Sequence, residues 1–249
     1  MALLETLVVV FGVALLGAVA VVVKTRLFPT SEDEGPREDV AEYIAMMVSV
    51  LYAIVLGLCL VSVWETRTDA AEHSQAEASA LHQTYLLADA LPEDRREPLR
   101  AAARAYADHV VEVEWPMMAD RQPLDPSGWR LLERLRQAGE IGDTATVSQQ
   151  IAAQEVLAQL GYVDDARRNR EAASQERLSP VLWAGLIIGG FLTLAFMFIF
   201  GIHHTRTHVV MVMGLAGFIA FTALLVHQLD APFGETLGTG PDAFTRYFL

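Results

Sequence analysis

Apolar residues fall into two pairs of long blocks separated by a stretch rich in Ala, Glu, Arg and Gln. The first block, Ala2 to Val23, holds one charge, Glu5, and is followed at once by Lys24 and Arg26. A helix of that length, at about 1.5 Å per residue, spans a hydrocarbon core of roughly 30 Å. A cleaved leader fits poorly, because the cations flank the wrong end of the run. The link TSEDEGPRED, residues 30–39, contains Gly35 and Pro36 among its charges and predicts an exposed turn. A second span covers Tyr43 to Trp64. The third opens at Ser179-Pro180, a cap followed by proline at the first helical position, and runs to about Ile202. His203, His204, Thr205, Arg206, Thr207 and His208 make a turn into the fourth span, Val209 to Leu229.

Between the two pairs, helical periodicity continues from Glu65 without a breaker as far as Pro92, so the second span is expected to run on into this region. Pro92 should open a helix with Leu99, Ala103, Tyr106, Val110 and Val113 on its apolar face, ending before Pro116. A polar loop leads to a short helix opened by Ser127 around Trp129, Leu132 and Leu135. Asp143 or Thr144 is placed to cap a further helix, with Val147, Ile151, Val156 and Leu160 as its apolar stripe. Asp164 to Arg177 reads as a charged helical lead-in to the third span. The predicted fold is all-α: a first membrane helix pair (1–64), a helical extramembrane domain (65–178), a second helix pair (179–230) and a short tail (231–249) carrying Phe244, Tyr247 and Phe248.

Composition supports a membrane class, with 53% hydrophobic residues in 249. The formal net charge of −13 argues against nucleic acid as a partner, since phosphate binding needs clustered cations. It is compatible with cation attraction or with acidic residues that keep a helical domain solvated. The single cysteine, Cys59, excludes an internal disulfide. Lys24, Arg26, Arg37 and Arg206 lie in the short loops, which places those loops in the cytoplasm and the domain outside an inner (plasma) membrane crossed several times. Arg167, Arg168, Arg170 and Arg177 pull the other way.

Catalytic chemistry finds little support. No HExxH, GxSxG, Walker or dinucleotide fingerprint occurs, so neither an enzyme nor a cofactor is expected. His204 and His208, four residues apart, form a weak metal candidate beside the plainer reading of an interfacial polar turn. Glu112 and Glu114 point about 200° apart on a regular helix and so do not form a carboxylate pair. The deep parts of the spans carry no charge, unlike a proton pump or ion-coupled transporter. Two readings remain: a passive channel for inorganic ions, or a non-conducting scaffold or sensor whose domain binds a ligand or partner. On the second span Ala45, Ser49, Ala53 and Gly57 recur every fourth residue, a stripe suited to close helix packing or to a narrow pore-facing or oligomer-facing surface. Gly185 and Gly189 form a GxxxG pair on the third span. A pore built from four helices per subunit requires a homo-oligomer in the lipid bilayer.

Three segments, SVLYAIVLGLCLVSVWE (Ser49 to Glu65), AYADHVVEVEWPMM (Ala105 to Met118) and LDAPFGE (Leu229 to Glu235), resemble the bestrophin-like bacterial family of unknown function. The likeness extends over nearly the whole chain, including helix order and the Pro180 to Trp183 start of the third span. That family is linked more distantly to the bestrophins, which are pentameric chloride channels. The resemblance implies that the second span lines a pore through the face carrying Ser49, Ala53 and Gly57, with Tyr52, Trp64 and Glu65 as matching family positions. The chain lacks the long acidic calcium-clasping segment of bestrophins, and its domain is small.

Overall fold

The computed structural model describes residues 3–27, 37–142, 145–199, 205–234 and 236–248. Every regular element among them is helical. The chain divides into two compact units: one formed by Met1–Trp64 with Arg177–Asp230, the other by Glu65–Glu176 with Ala231–Leu249.

The first unit contains α1 (Leu3–Leu27), the N-terminal part of α2 (Arg37–Leu87), α7 (Pro180–Ile199) and α8 (Thr205–Leu229). Three helices, α2, α7 and α8, are long and apolar enough to cross a membrane, and α1 carries a shorter apolar stretch, Leu7–Val23. Burial within this unit depends on small residues. Ala14, Gly17 and Ala18 of α1 lie against α8, where a Cβ on Gly17 would sit 3.5 Å from Ala216 and Val212. Such contacts matter in lipid because tails are as apolar as the side chains, leaving close van der Waals packing to hold helices together. Hydroxyls find partners on their own helices: Ser49 donates to Ala45 O at 2.8 Å, Thr193 to Gly189 O at 2.9 Å and Thr222 to Phe218 O at 2.8 Å. Around Pro180, the Ser179 hydroxyl accepts from Val181 N–H at 3.3 Å. The buried Asp230 carboxylate accepts from Leu178 N–H at 2.7 Å.

The second unit comprises the rest of α2, α3 (Glu93–His109), α4 (Trp115–Ala119), α5 (Ser127–Ala138), α6 (Val147–Gln175) and α9 (Asp242–Phe248). Its core joins Leu81, Leu91, Leu99, Tyr106, Val110, Leu132, Leu135, Val156, Leu160, Val163 and Phe244. Residues after Asp230, which the sequence pattern leaves as a tail, are anchored here. Phe233 meets Trp115 edge-on with centroids 5.4 Å apart, Tyr247 stacks on His82 at 4.6 Å, and Thr239 O accepts from Trp115 Nε1 at 3.0 Å.

Several expectations change. The helix from Pro92 does not stop before Pro116. A π-helical turn, Val110–Glu114, joins α3 to α4, with Trp115 N–H reaching back five residues to Val110 O. The widened turn absorbs proline's missing N–H and adds a residue to the repeat. Glu114 is buried, and Val113, expected on the apolar face, is 39% exposed. On α6, Val156 and Leu160 enter the core but Val147 and Ile151 do not, being 73% and 62% exposed. The stretch from Asp164 is the continuation of α6, and it turns two arginines inward. The described cap of α6 is Thr146, which forms a reciprocal capping box with Gln149. Asp143 and Thr144 lie outside the described residues, as does most of the 30–39 link.

Candidate functional site

Among the described residues, two features have chemical character beyond packing: one face of α2 in the first unit and a buried ionic cluster in the second.

In the first-unit part of α2 the buried positions are Tyr52, Leu56, Cys59 and Val63, spaced three and four apart as a straight helix requires. The every-fourth-residue stripe drifts by about 40° per step, so it does not keep to that face. Ala45 and Ser49 are half-buried, and Ser49 lines an open groove of about 220 Å³ with Met46, Thr193, Phe196 and Met197. Ala53 and Gly57 are exposed, and a Cβ built on Gly57 meets nothing within 4 Å. Trp64 and Glu65 are exposed too; Trp64, seven residues after Gly57, shares its side of the helix. Tyr52 instead packs inward. A Cβ on Gly189 would sit 2.6 Å from Tyr52 Cδ2, and one on Gly190 would sit 3.0 Å from Tyr52 Oη, so these glycines are required for α7 to approach α2. Gly185, the other half of the GxxxG pair, has open space around its Cβ direction.

His208 is buried, with Nε2 3.0 Å from Met197 O. His204 lies outside the described residues, and among those described no group of three or more His, Cys, Asp or Glu side chains is arranged to hold a metal.

The second unit encloses Glu77 of α2, Glu114 of the π-helical turn, and Arg167 and Arg170 of α6, all of them fully or almost fully buried. Arg170 donates through Nε to Glu77 Oε2 at 2.6 Å and through Nη2 to Glu77 Oε1 at 3.0 Å and Glu114 Oε2 at 2.7 Å. Arg167 makes a bidentate pair with Glu114 at 2.6 and 3.0 Å. Tyr106 joins the two halves, donating to Glu77 Oε1 at 2.7 Å and accepting from Arg167 Nη1 at 3.1 Å. Trp129 faces the Arg167 guanidinium at 4.9 Å, and Trp115 faces that of Arg170 at 5.8 Å. Two cations and two anions balance, as buried charge must for the desolvation cost to be offset. Gly128 at the start of α5 makes room. A Cβ there would lie 2.7 Å from Arg167 Cζ and closer still to Glu114 Oε1 and Arg167 Nη2.

Burial pushes the Glu114 carboxyl up, but the hydrogen bonds and charges of Arg167 and Arg170 outweigh it and hold the group below the ordinary carboxylate range. Burial likewise opposes charge on Arg170, and Glu77 overcomes it, raising the guanidinium above its usual value. The Tyr106 hydroxyl is raised well above its usual value by burial and then by Glu77. A folded-state carboxyl that is lowered contributes stability above its unfolded value and loses it as pH falls through the folded value. The unit should therefore lose stability on acidification below the ordinary carboxylate range. Glu114→Gln should flatten that part of a denaturation-against-pH curve; an unchanged acid limb would remove Glu114 from the account.

His109 stands beside the cluster, with Nε2 3.1 Å from Ser127 Oγ and 3.6 Å from Glu114 Oε1. Both contacts fall on the same ring nitrogen, so Ser127, His109 and Glu114 do not form a nucleophile relay, which needs opposite nitrogens. Asp125 accepts from the Ser127 hydroxyl and from Ser127 N–H, the latter at 2.6 Å. This arrangement holds the start of α5 and is not set up for catalysis.

None of the cluster residues is prominent in the sequence as a site, although Tyr106, Glu114, Trp115 and Met118 all fall in the segment AYADHVVEVEWPMM. A signal existed in periodicity: positions 156, 160, 163, 167, 170 and 174 form one helical stripe, and two of its members are arginine.

Among known proteins, a family model described as the Bestrophin-like domain matches residues 11–244. No curated protein matches. A crystal structure of a membrane protein aligns over 98% of this chain and 95% of its own, with a TM-score of 0.58 at 15% identity, which shows a shared fold. With helices α2, α7 and α8 able to cross a bilayer, the chain is a multi-pass membrane protein. Matched over nearly its full length, it belongs to the bestrophin-like family.

Proposed function

We propose that the chain is a non-enzymatic subunit of a homo-oligomeric ion channel in the plasma membrane, with four membrane-spanning helices and α2 lining the pore. The observation that carries this reading is the state of α2 within one subunit. Tyr52, Leu56, Cys59 and Val63 are used for internal packing, whereas Ala53 and Gly57, about 90° and 130° around the helix, are exposed, and a Cβ on Gly57 would meet nothing within 4 Å. Small, uncharged residues on such a face allow helices to approach an axis closely and leave a narrow passage between them. Tyr52, which packs against α7, serves as the internal support of that helix in this reading. Glu65 lies at the end of the apolar part of α2, where a ring of carboxylates would concentrate cations.

In this reading the second unit lies outside the membrane on the extracytoplasmic side, following the cationic short loops. An impermeant maleimide should then label Glu133→Cys, made in a Cys59→Ala background, in intact cells; labelling only after lysis reverses the orientation. The function itself is read by planar-bilayer recording of purified protein under a salt gradient. Unitary currents whose reversal potential gives the ion preference are expected. Silence from an intact assembly across voltage and pH would transfer the assignment to a non-conducting scaffold or sensor.

A further inference from the structure

The groove beside Ser49 has walls suited to hydrocarbon and a single charge at its rim. It runs from Glu42 through Met46 to Ser49 on α2, with Phe196 and Met197 of α7 and Leu215 of α8 completing it. Its volume of about 220 Å³ exceeds the roughly 150 Å³ of an apolar cavity that takes up benzene. Both hydroxyls on its walls have spent their protons on their own helices, Ser49 on Ala45 O and Thr193 on Gly189 O. What remains for an occupant is methylene, thioether and phenyl surface, and the unbranched methionines adapt to a flexible chain.

Position and charge identify the occupant. Glu42 directly precedes the apolar run Tyr43 to Trp64. Ser49 lies about 10 Å further along the helix axis, within the roughly 15 Å half-thickness of a bilayer's hydrocarbon core. One end of the groove therefore opens to acyl chains and the other to the headgroup layer. Among the described residues that line it, Glu42 alone is charged, and it is exposed. A carboxylate at that depth repels anionic headgroups and favours a cation that can hydrogen-bond to it. We propose that the groove binds an aminophospholipid of the surrounding leaflet, with one acyl chain against Met46, Phe196, Met197 and Leu215 and the primary ammonium donating to the Glu42 carboxylate. A primary ammonium brings three N–H donors, whereas the quaternary ammonium of a choline lipid brings none. The site depends on α2, α7 and α8 lying in the membrane and is independent of conduction.

The test uses full-length protein in nanodiscs of phosphatidylethanolamine and phosphatidylglycerol in equal parts, with the lipid that the protein retains counted by native mass spectrometry. Phosphatidylethanolamine should be enriched roughly three- to fivefold over its share of the bilayer, the scale of an exposed ion pair. Glu42→Gln should return the ratio to that of the bilayer without changing the unfolding temperature. A second measurement locates the chain. Phosphatidylethanolamine with a diazirine in its acyl chain should label the peptides containing Met46 and Phe196, and excess unlabelled phosphatidylethanolamine should suppress that labelling where phosphatidylglycerol does not. Phe11 of α1, 70% exposed, is the control for general lipid contact and should respond to both competitors alike. If Met46 and Phe196 follow both competitors as Phe11 does, the contact is unselective and the site is overturned. An unchanged lipid ratio in Glu42→Gln also overturns it, as does a lack of labelling at both peptides, the mark of a groove covered by a neighbouring copy. Selective labelling of a protein that carries no current keeps the lipid site and removes the channel.

Discussion

Arg170→Ala lowers the stability of the second unit by about 3–5 kcal/mol, the usual consequence of breaking a buried ion pair from one side. Arg170 is the partner shared by both carboxylates, holding Glu77 at 2.6 Å and Glu114 at 2.7 Å. Its removal leaves Glu77 with Tyr106, and a negative charge in excess inside a dry core. For a chain of this size the loss corresponds to a fall in unfolding temperature on the order of 10 °C, read by the fluorescence of Trp115 and Trp129. The combined change Glu77→Leu, Glu114→Leu, Arg167→Met and Arg170→Met should recover most of the loss, because a well-packed apolar set can match a buried ionic one. If Arg170→Ala unfolds within about 2 °C of the parent, the cluster does not hold the unit together.

Gly128→Ala is expected to cost about 2–4 kcal/mol although it adds one methyl group, within the range of other large single-site effects. The added Cβ would overlap the Arg167 guanidinium and the Glu114 carboxylate, and neither can withdraw without giving up charge-assisted hydrogen bonds. Changes at Gly142 or Gly161, whose Cβ directions are open, should leave the unfolding temperature within about 2 °C of the parent. The measurement is thermal unfolding of the three variants side by side; equal losses at all three positions would remove the special role of Gly128.

The all-helical class and the long apolar helices were legible because apolar block length and hydrophobic period are direct consequences of helix geometry and bilayer thickness. The long α2, the proline at the start of α7 and the helix opened by Ser127 all follow from such local signals. The ionic cluster was not legible, for a physical reason: its members come from three segments far apart in sequence, and one of them, Glu114, sits in a π-helical turn that departs from the regular repeat. Arg167 and Arg170 look like solvated charges until Glu77, 93 residues from Arg170 in sequence, is placed opposite them. Ala231–Leu249 was opaque in the same way, since Phe233, Phe244 and Tyr247 find their partners on α2 and near Trp115. On α2 the every-fourth-residue stripe conflated two surfaces. Its members drift from the half-buried Ala45 and Ser49 to the open Ala53 and Gly57, so the candidate pore face is narrower than the stripe.

The central claim is that Ala53 and Gly57 face a conducting path. Its most direct test is a current recorded from Cys59→Ala protein bearing a single cysteine at Ala53, Gly57 or Leu58 while a charged, membrane-impermeant thiol reagent is applied. Block or a stepwise change of conductance at Ala53→Cys and Gly57→Cys, with Leu58→Cys, about 100° around α2 from Gly57, unaffected, is the predicted result. Equal insensitivity at all three positions in a conducting protein would contradict it.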